Sequence, residues 1–261
     1  MRIVPALPDH APPPETGRWS SGIASLDTVL AGGIAYGAVH EIYAAEAADA
    51  AAVTGFAVAV TACMMRQPDR QTRAPLWLRS RRAVRLGGIL QASGWAELGG
   101  APGDALVGVV PDAMTLLRAV ADALRCAALG AVIVESWGRM AELDLTASRR
   151  LALYAERSGV PLFLLRIDAA PVASAAQTRW QVTAAPSRAL PGHAPGLPTF
   201  DIELLRQKSG PSGMGWRLEW DRDRRIFQEA PLSGAVVPVP ARRPAADTGT
   251  GSPYPDSRYA A

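Results

Sequence analysis

Hydrophobic residues follow two different patterns along this chain. In the first, short runs of consecutive apolar residues alternate with longer stretches in which apolar residues recur every three or four positions, as Phe56, Val60 and Met64 do. The short runs are typical of strands covered on both faces, and the longer stretches of helices. Strands that alternate with helices indicate βαβ units and a parallel sheet. The predicted strands are 38–43, 74–79, 105–110, 131–135 and 160–166, and the predicted helices are 21–30 (with Ser25 as a cap), 47–65, one around Ile89, 111–124 and 145–158.

The second pattern begins after Arg166, where apolar and polar residues alternate one by one. Such alternation is typical of half-buried strands, and it occurs in 178–182, 200–206 and 215–220. Residues 208–213 join the last two of these strands as a predicted hairpin loop. We therefore predict an α/β fold with a mostly parallel central sheet flanked by helices and extended by C-terminal antiparallel strands.

Segments rich in proline and small residues flank this fold on both sides. Residues 1–16 contain five prolines, and residues 231–261 are rich in Pro, Gly, Ala and Ser. Such compositions bury too little apolar surface to offset the entropy of ordering the chain. We therefore predict a disordered arm at 1–16, one domain at 17–230 and a disordered tail at 231–261.

Composition and charge narrow the class of protein further. The 261 residues are 49% hydrophobic and 6% aromatic, and the formal net charge of +3 is only a weak indication of nucleic-acid binding. Cys63 and Cys126 lie in apolar helix patterns and are predicted to be buried, reduced thiols of a cytoplasmic protein. We find no signal peptide and no uninterrupted apolar run of about 18 residues, so we predict no membrane span.

The stretch 37–52 places a strand, a loop and a long helix in the order that a P-loop requires. A P-loop surrounds phosphates with backbone N–H groups, and it supplies a lysine for the β- and γ-phosphates and a hydroxyl for Mg²⁺. This loop offers Ala44, Asp49, Ala50 and Ala51 instead, and the only lysine of the chain is Lys208. Because the lysine charge stabilises a transferring phosphoryl group, we predict a degenerate nucleotide loop and no cofactor.

Several blocks of the sequence resemble the RecA-type ATP-binding core. The entry to that core is similar to 21–27, to the pair Gly32-Gly33 and to 37–43, and the Walker B strand is similar to 132–136. Further blocks resemble more specifically the ImuA family, the RecA-like proteins of bacterial damage-induced mutagenesis operons. These C-terminal blocks are 174–180, 184–187, 204–206 and 216–220, and the whole resemblance covers residues 17–230.

The resemblance implies a role in error-prone translesion synthesis during the SOS response. ImuA-like proteins are encoded with ImuB, a catalytically inactive relative of the Y-family polymerases, and with an error-prone DnaE-type polymerase. We therefore expect a non-catalytic accessory protein whose partners are an ImuB-like protein and RecA, with the DnaE-type polymerase reached indirectly. Weak contact with DNA is compatible with this expectation, and no metal site is expected.

Two positions near the predicted nucleotide loop carry charges that the resemblance helps to interpret. Glu135 ends the Walker-B-like strand, where a carboxylate can hold Mg²⁺ through water. Without a phosphate partner, we expect Glu135 to act as a capping or hydrogen-bonding group. Arg79 stands where RecA relatives place a carboxylate that polarises water, and its charge has the wrong sign for that role.

Four basic residues are candidate contacts for DNA or for a protein partner. Arg166 and Arg179 flank the loop that corresponds to a DNA-binding loop in RecA. Arg206 and Lys208 lie at the hairpin, where RecA-like filaments present basic residues to the neighbouring subunit. Basic clusters bind phosphates, although they are more often solvated faces, and here acidic residues nearly balance the charge.

Three alternative functions stay open. A RecA-like ATPase with an unusual nucleotide site would bind ATP with Mg²⁺. A DNA-binding protein would bind single-stranded DNA in a salt-sensitive way. A SulA-like cell-division inhibitor, which shares the fold without ATP hydrolysis, would alter polymerisation of the division protein FtsZ.

Overall fold

The computed structural model describes residues 17–188, 190, 194 and 196–230, so the predicted arm at 1–16 and tail at 231–261 lie outside the described residues. The described chain forms a two-stranded ribbon and a nine-stranded sheet. The strands are β1 Arg18–Trp19, β2 Ile34–Ala35, β3 Val39–Ala44, β4 Ala74–Ser80, β5 Leu106–Val110, β6 Leu129–Trp137, β7 Leu162–Ile167, β8 Thr178–Ala184, β9 Thr199–Gln207, β10 Met214–Asp221 and β11 Ile226–Glu229. The helices are α1 Ala24–Val29, α2 Ala50–Met65, α3 Arg81–Gly87, α4 Ala92–Glu97, α5 Ala113–Ala123 and α6 Leu145–Ser158, with 3₁₀ turns at Ala47–Asp49 and Pro102–Asp104.

A mostly parallel sheet forms the centre of the fold. Its strand order is β11-β10-β9-β8-β3-β7-β6-β4-β5. The six strands from β8 to β5 pair in parallel, and β9, β10 and β11 continue the sheet as antiparallel neighbours. Parallel strands need long crossovers, whereas antiparallel strands need only tight turns, which is why the short loop at 208–213 joins β9 to β10. The predicted α/β fold with C-terminal antiparallel strands is confirmed.

Helices cover both faces of the central strands. The first face packs against α1, α2 and α4 and includes Val53 of α2, whereas the second packs against α5 and α6 and includes Leu116 and Leu151. Successive residues of a strand point to opposite faces, so Phe163 of β7 joins the first core and Leu164 the second. This double coverage explains the uninterrupted apolar runs in the sequence.

Local side chains set the ends of several helices. Ser80, Asp112 and Asp144 each accept a backbone hydrogen bond at the start of α3, α5 and α6, which satisfies donors that the first helical turn leaves free. Gly159 ends α6 with a left-handed φ of 72°, as glycine readily does at this position. The predicted helix over 145–158 is confirmed.

Helix α2 is the main helix of the first face. Twelve of its 16 residues are buried, as expected for a helix that is apolar all round. With the preceding 3₁₀ turn it spans Ala47–Met65, a segment long and apolar enough to cross a membrane by length and composition, with 67% of the segment's most apolar window buried inside the fold. Uninterrupted apolar runs do not reveal this segment, because Thr54 and Thr61 interrupt it. Its burial is that of a core helix.

Residues 81–97 fold differently from the prediction of a helix around Ile89. Two short helices, α3 and α4, flank an extended link instead. Gly88 follows α3 with a φ of 74°, a conformation that costs glycine little, and Ile89 is 78% exposed. The prediction is wrong here because apolar spacing indicated a helix where a glycine ends one.

Three smaller features also differ from the predictions. Ile23 is the N-cap of α1 and gives no side-chain cap, while Ser25 lies inside the helix and donates from its hydroxyl to a Glu229 carboxylate oxygen at 2.6 Å. Cys126 follows α5 and is exposed, although Cys63 is buried as predicted. Strand β11 is only four residues long, too short for alternation to predict it.

Candidate functional site

The loop that the sequence predicts to be a degenerate nucleotide loop lies at the carboxyl edge of the parallel strands. Strand β3 ends at Ala44, a 3₁₀ turn follows, and α2 begins with Ala50 and Ala51. Open α/β sheets bind ligands outside the carboxyl ends of their strands, and helix N-termini attract anions. The strand, loop and helix therefore lie in the predicted order, but the four predicted loop positions supply neither a cationic side chain nor a hydroxyl.

The Asp49 carboxylate forms a hydrogen bond to the backbone of a neighbouring strand. Its Oδ1 accepts a hydrogen bond from the backbone N–H of Ala184 at 2.9 Å, at the end of β8. This contact ties the loop after β3 to the neighbouring strand. The carboxylate also occupies the start of α2 with a negative charge, which opposes the binding of a phosphate there.

Glu135 forms a buried ion pair with Arg79. The two residues are direct neighbours in the register of β6 and β4. Arg79 Nη2 donates to Glu135 Oε1 at 2.8 Å, and Arg79 Nε lies 2.7 Å from Glu135 Oε2, with each side chain 3% exposed. The Nε–H is not aligned well enough for a hydrogen bond, so the Nη2 contact is the directional one. The two charged residues singled out at this edge therefore neutralise each other.

Further groups complete the surroundings of this pair. Trp137 donates from Nε1 to Glu135 Oε1 at 2.8 Å, and Arg79 Nη1 donates to the Gly88 carbonyl at 2.7 Å. Gly87 packs directly on the carboxylate, since a β-carbon there would lie 2.7 Å from Oε1. Glu135 would have to give up these contacts before it could hold Mg²⁺ or its water ligands.

A second buried ion pair joins β3 to β8 on the other face of the sheet. Glu41 and Arg179 are register neighbours, and Arg179 Nε donates to Glu41 Oε2 at 2.8 Å. Arg179 Nη2 also donates to the Val172 carbonyl oxygen and to Ser174 Oγ at 3.1 Å. With 11% of its side chain exposed, Arg179 anchors the loop before β8 and presents little surface to an external ligand.

Arg166 is buried beside Tyr43 on the same face. The two residues are opposite each other in the register of β7 and β3, and Arg166 is 2% exposed. Its Nε and Nη1 have no hydrogen-bond partner in the part of the chain that the structure describes. Burial raises the pKa of Tyr43, and the Glu41 carboxylate adds to the rise. Arg166 on β7 and Arg179 on β8 thus lie on the two strands that flank β3, and both are largely buried.

Arg206 and Lys208, the other two basic candidates, lie in different surroundings. Arg206 is the register neighbour of Arg179, and its Nη1 donates to the Ser174 carbonyl at 3.4 Å. Lys208 is exposed and lines a crevice near the amino end of β3, together with Arg18 among others. Arg179 and Arg206 thus share contacts with the loop before β8, whereas Lys208 belongs to another surface.

Sequence reasoning missed Glu41, which carries the negative charge of the second pair. A signal for it was present, because Glu41 is a lone carboxylate within a predicted apolar strand, and a buried carboxylate is almost always paired. Ser174 and Trp137 carry no comparable signal, since a serine in a loop and an indole beside a strand end have many other uses.

Within the described ranges, no group of three or more His, Cys, Asp or Glu side chains is arranged to hold a metal ion. No protein-family model matches this chain, and no curated protein matches its sequence. A functional proposal therefore rests on the sequence blocks, the sheet and the buried charges.

Proposed function

We propose that this protein is a RecA-like accessory protein of the ImuA family, which acts through protein–protein contacts in SOS-induced, error-prone translesion synthesis. Its partners are an ImuB-like inactive polymerase and RecA, and the DnaE-type polymerase is reached indirectly. The sequence blocks within 17–230 support the family, and the mostly parallel α/β sheet with its strand–loop–helix at the carboxyl edge is compatible with it.

The buried Arg79–Glu135 ion pair is the observation that carries the non-catalytic part of the proposal. A site for Mg²⁺ and ATP needs a carboxylate that can reach the metal or its waters, and a lysine that can reach the phosphates. Here a guanidinium lies 2.7 Å from the carboxylate. When the strand and the helix are aligned with those of a P-loop, the lysine position falls at Ala50. This arrangement favours a structural role for the carboxyl edge.

Strand β5 supports the protein-contact part of the proposal. It is the outermost strand of the sheet, paired with β4 alone, and it contains no charged residue. Leu106, Val107 and Val109 are 51%, 54% and 53% exposed. An exposed apolar edge strand offers unpaired N–H and C=O groups to an extended segment of another chain. This edge is the surface to which we assign partner binding.

Co-purification with the ImuB-like protein encoded in the same genome tests the contact part. We expect a stable complex whose affinity falls about tenfold or more with Val107→Lys and Val109→Lys together, because charges on an edge strand oppose strand addition. Leu153→Lys is the matched control, since Leu153 is an exposed apolar residue of α6. Failure of the unchanged protein to form a complex, or equal weakening by the control, would contradict the proposal.

Titration with a fluorescent ATP analogue and Mg²⁺ tests the non-catalytic part separately. We expect no saturable binding at millimolar nucleotide, because the loop lacks the donors that hold phosphates. Saturable binding that requires Mg²⁺ would favour the ATPase alternative, whatever the result with the protein partner.

A further inference from the structure

A cavity of about 350 Å³ lies at the amino edge of the parallel strands, opposite the degenerate nucleotide loop. Its walls come from the end of α2, the start of β4, the glycine-rich loop before β5 and the turn between β10 and β11. Met65, Pro75 and Trp95 form apolar parts of the lining. The volume falls within the range of about 300–1,000 Å³ that is typical of small-molecule sites.

Two buried polar groups on this lining lack partners. Thr61 is 0% exposed and Trp95 is 9% exposed, and neither Thr61 Oγ1 nor Trp95 Nε1 has a hydrogen-bond partner among the described residues. The backbone at Gly100 packs on the indole nitrogen, because a β-carbon there would lie 1.9 Å from Nε1. Buried donors without partners are rare and costly in folded proteins, so a ligand oxygen that accepted from these two groups would remove that cost.

The charged groups on the lining also favour a ligand that carries hydrogen-bond acceptors. The lining contains three arginines, Arg66, Arg73 and Arg225, and a single acidic residue, Asp104. Within the described residues, none of these three arginines forms an ion pair with a carboxylate. Arg66 Nη1 donates a hydrogen bond to the Arg225 carbonyl at 3.0 Å. The lining groups without partners are thus hydrogen-bond donors, and a ligand with acceptor oxygens would satisfy them.

We propose that this cavity binds a small organic anion with a flat apolar body, a carboxylate or a phosphate ester. The anionic oxygens accept from Arg73 and Arg225 and from the donors of Thr61 and Trp95, as charge-assisted hydrogen bonds favour. The flat body packs against the indole of Trp95. This site is independent of the partner-binding role proposed above, and it lies at the other edge of the sheet from the nucleotide loop.

Isothermal titration calorimetry of the full chain with three probes tests the ligand class. Phenyl phosphate carries both the anion and the flat body, inorganic phosphate carries only the anion, and benzyl alcohol carries only the body. We expect saturable binding of phenyl phosphate, about tenfold weaker binding of inorganic phosphate and no measurable binding of benzyl alcohol. Benzoate in place of phenyl phosphate distinguishes a carboxylate site from a phosphate site. Absence of saturable binding by both organic anions, or equal binding of inorganic phosphate, would overturn the proposal.

Matched variants test the location of the site. Arg73→Gln should weaken binding of the preferred organic anion about tenfold or more, because it removes a charged donor. Arg149→Gln, at an exposed arginine of α6, should leave the affinity unchanged. Thr61→Val should weaken binding and leave the Tm of the unliganded protein unchanged or raised, since it removes a hydroxyl without a partner. Equal effects of Arg73→Gln and Arg149→Gln, or undiminished affinity in Thr61→Val, would place the anion elsewhere.

Discussion

Arg79→Met would leave the Glu135 carboxylate buried without its cation. Both side chains are 3% exposed, so water cannot replace the guanidinium, and Trp137 Nε1 would still donate to Oε1 at 2.8 Å. Removal of one partner from a buried ion pair typically costs about 3–5 kcal/mol of the free energy of unfolding. In a domain of this size each kcal/mol corresponds to roughly 2–4 °C, so we expect the Tm to fall by roughly 6–20 °C.

Urea denaturation followed by tryptophan fluorescence measures this loss, and the chain offers a matched control. Arg217→Met breaks the Arg217–Asp201 pair, in which Nη2 and Oδ2 are also 2.7 Å apart but the two side chains are 48% and 40% exposed. Solvated pairs contribute about 0–1 kcal/mol. The difference between the two variants therefore isolates the effect of burial.

A double-mutant cycle decides whether the pair acts as a unit. Arg79→Met combined with Glu135→Leu should recover much of the stability lost in Arg79→Met, because the buried charge is gone. A loss below about 1 kcal/mol for Arg79→Met, or a double variant in which the two single losses simply add, would refute the reasoning.

Three further predictions concern buried or constrained groups. Burial lowers the pKa of His40 to about 4, below its ordinary value of about 6.5. The unfolded state therefore binds the proton first, and the free energy of unfolding falls by about 3 kcal/mol as the pH drops from 6.5 to 4. Denaturation of His40→Gln at several pH values should lack this pH dependence. Burial raises the pKa of the Cys63 thiol to about 12, so mass spectrometry after brief labelling with iodoacetamide should show modification of the exposed Cys126 and not of Cys63 until the protein unfolds. Gly33→Ala should lower the free energy of unfolding by about 1–3 kcal/mol in thermal denaturation. Gly33 has a φ of 112°, and a β-carbon there would lie 2.0 Å from a backbone carbonyl oxygen. Gly103→Ala is the control, because the space around Gly103 is open.

The strands of the central sheet could be predicted because their signal is local. The apolar runs at 131–135 and 160–166 agree with β6 and β7, since a strand covered on both faces needs an apolar residue at nearly every position. The prediction of a helix around Ile89 was wrong because it also used only the local pattern. Apolar spacing favours a helix, but it cannot show whether a packing partner exists or where a glycine ends the helix.

The candidate site could be predicted only in part. The strand and helix that enclose residues 44–51 are local features, so the sequence alone shows that this loop contains no lysine and no hydroxyl side chain. The partner of Glu135 is not visible, because Arg79 lies 56 positions away and β5 and α5 come between the two strands along the chain. Glu41 and Arg179 are separated by 138 positions.

The amino-acid sequence alone is sufficient for the alternation of strands and helices, the change to antiparallel strands after Arg166 and the absence of a lysine and a hydroxyl from the loop before α2. Each of these depends on residues that are neighbours along the chain. The three-dimensional arrangement was needed to show which charges meet, because the strand order places β4 beside β6 and β3 beside β8. Burial then requires each carboxylate to find a cation. Arg79, an apparent mismatch in the sequence, is therefore the counter-charge that allows Glu135 to lie inside the fold.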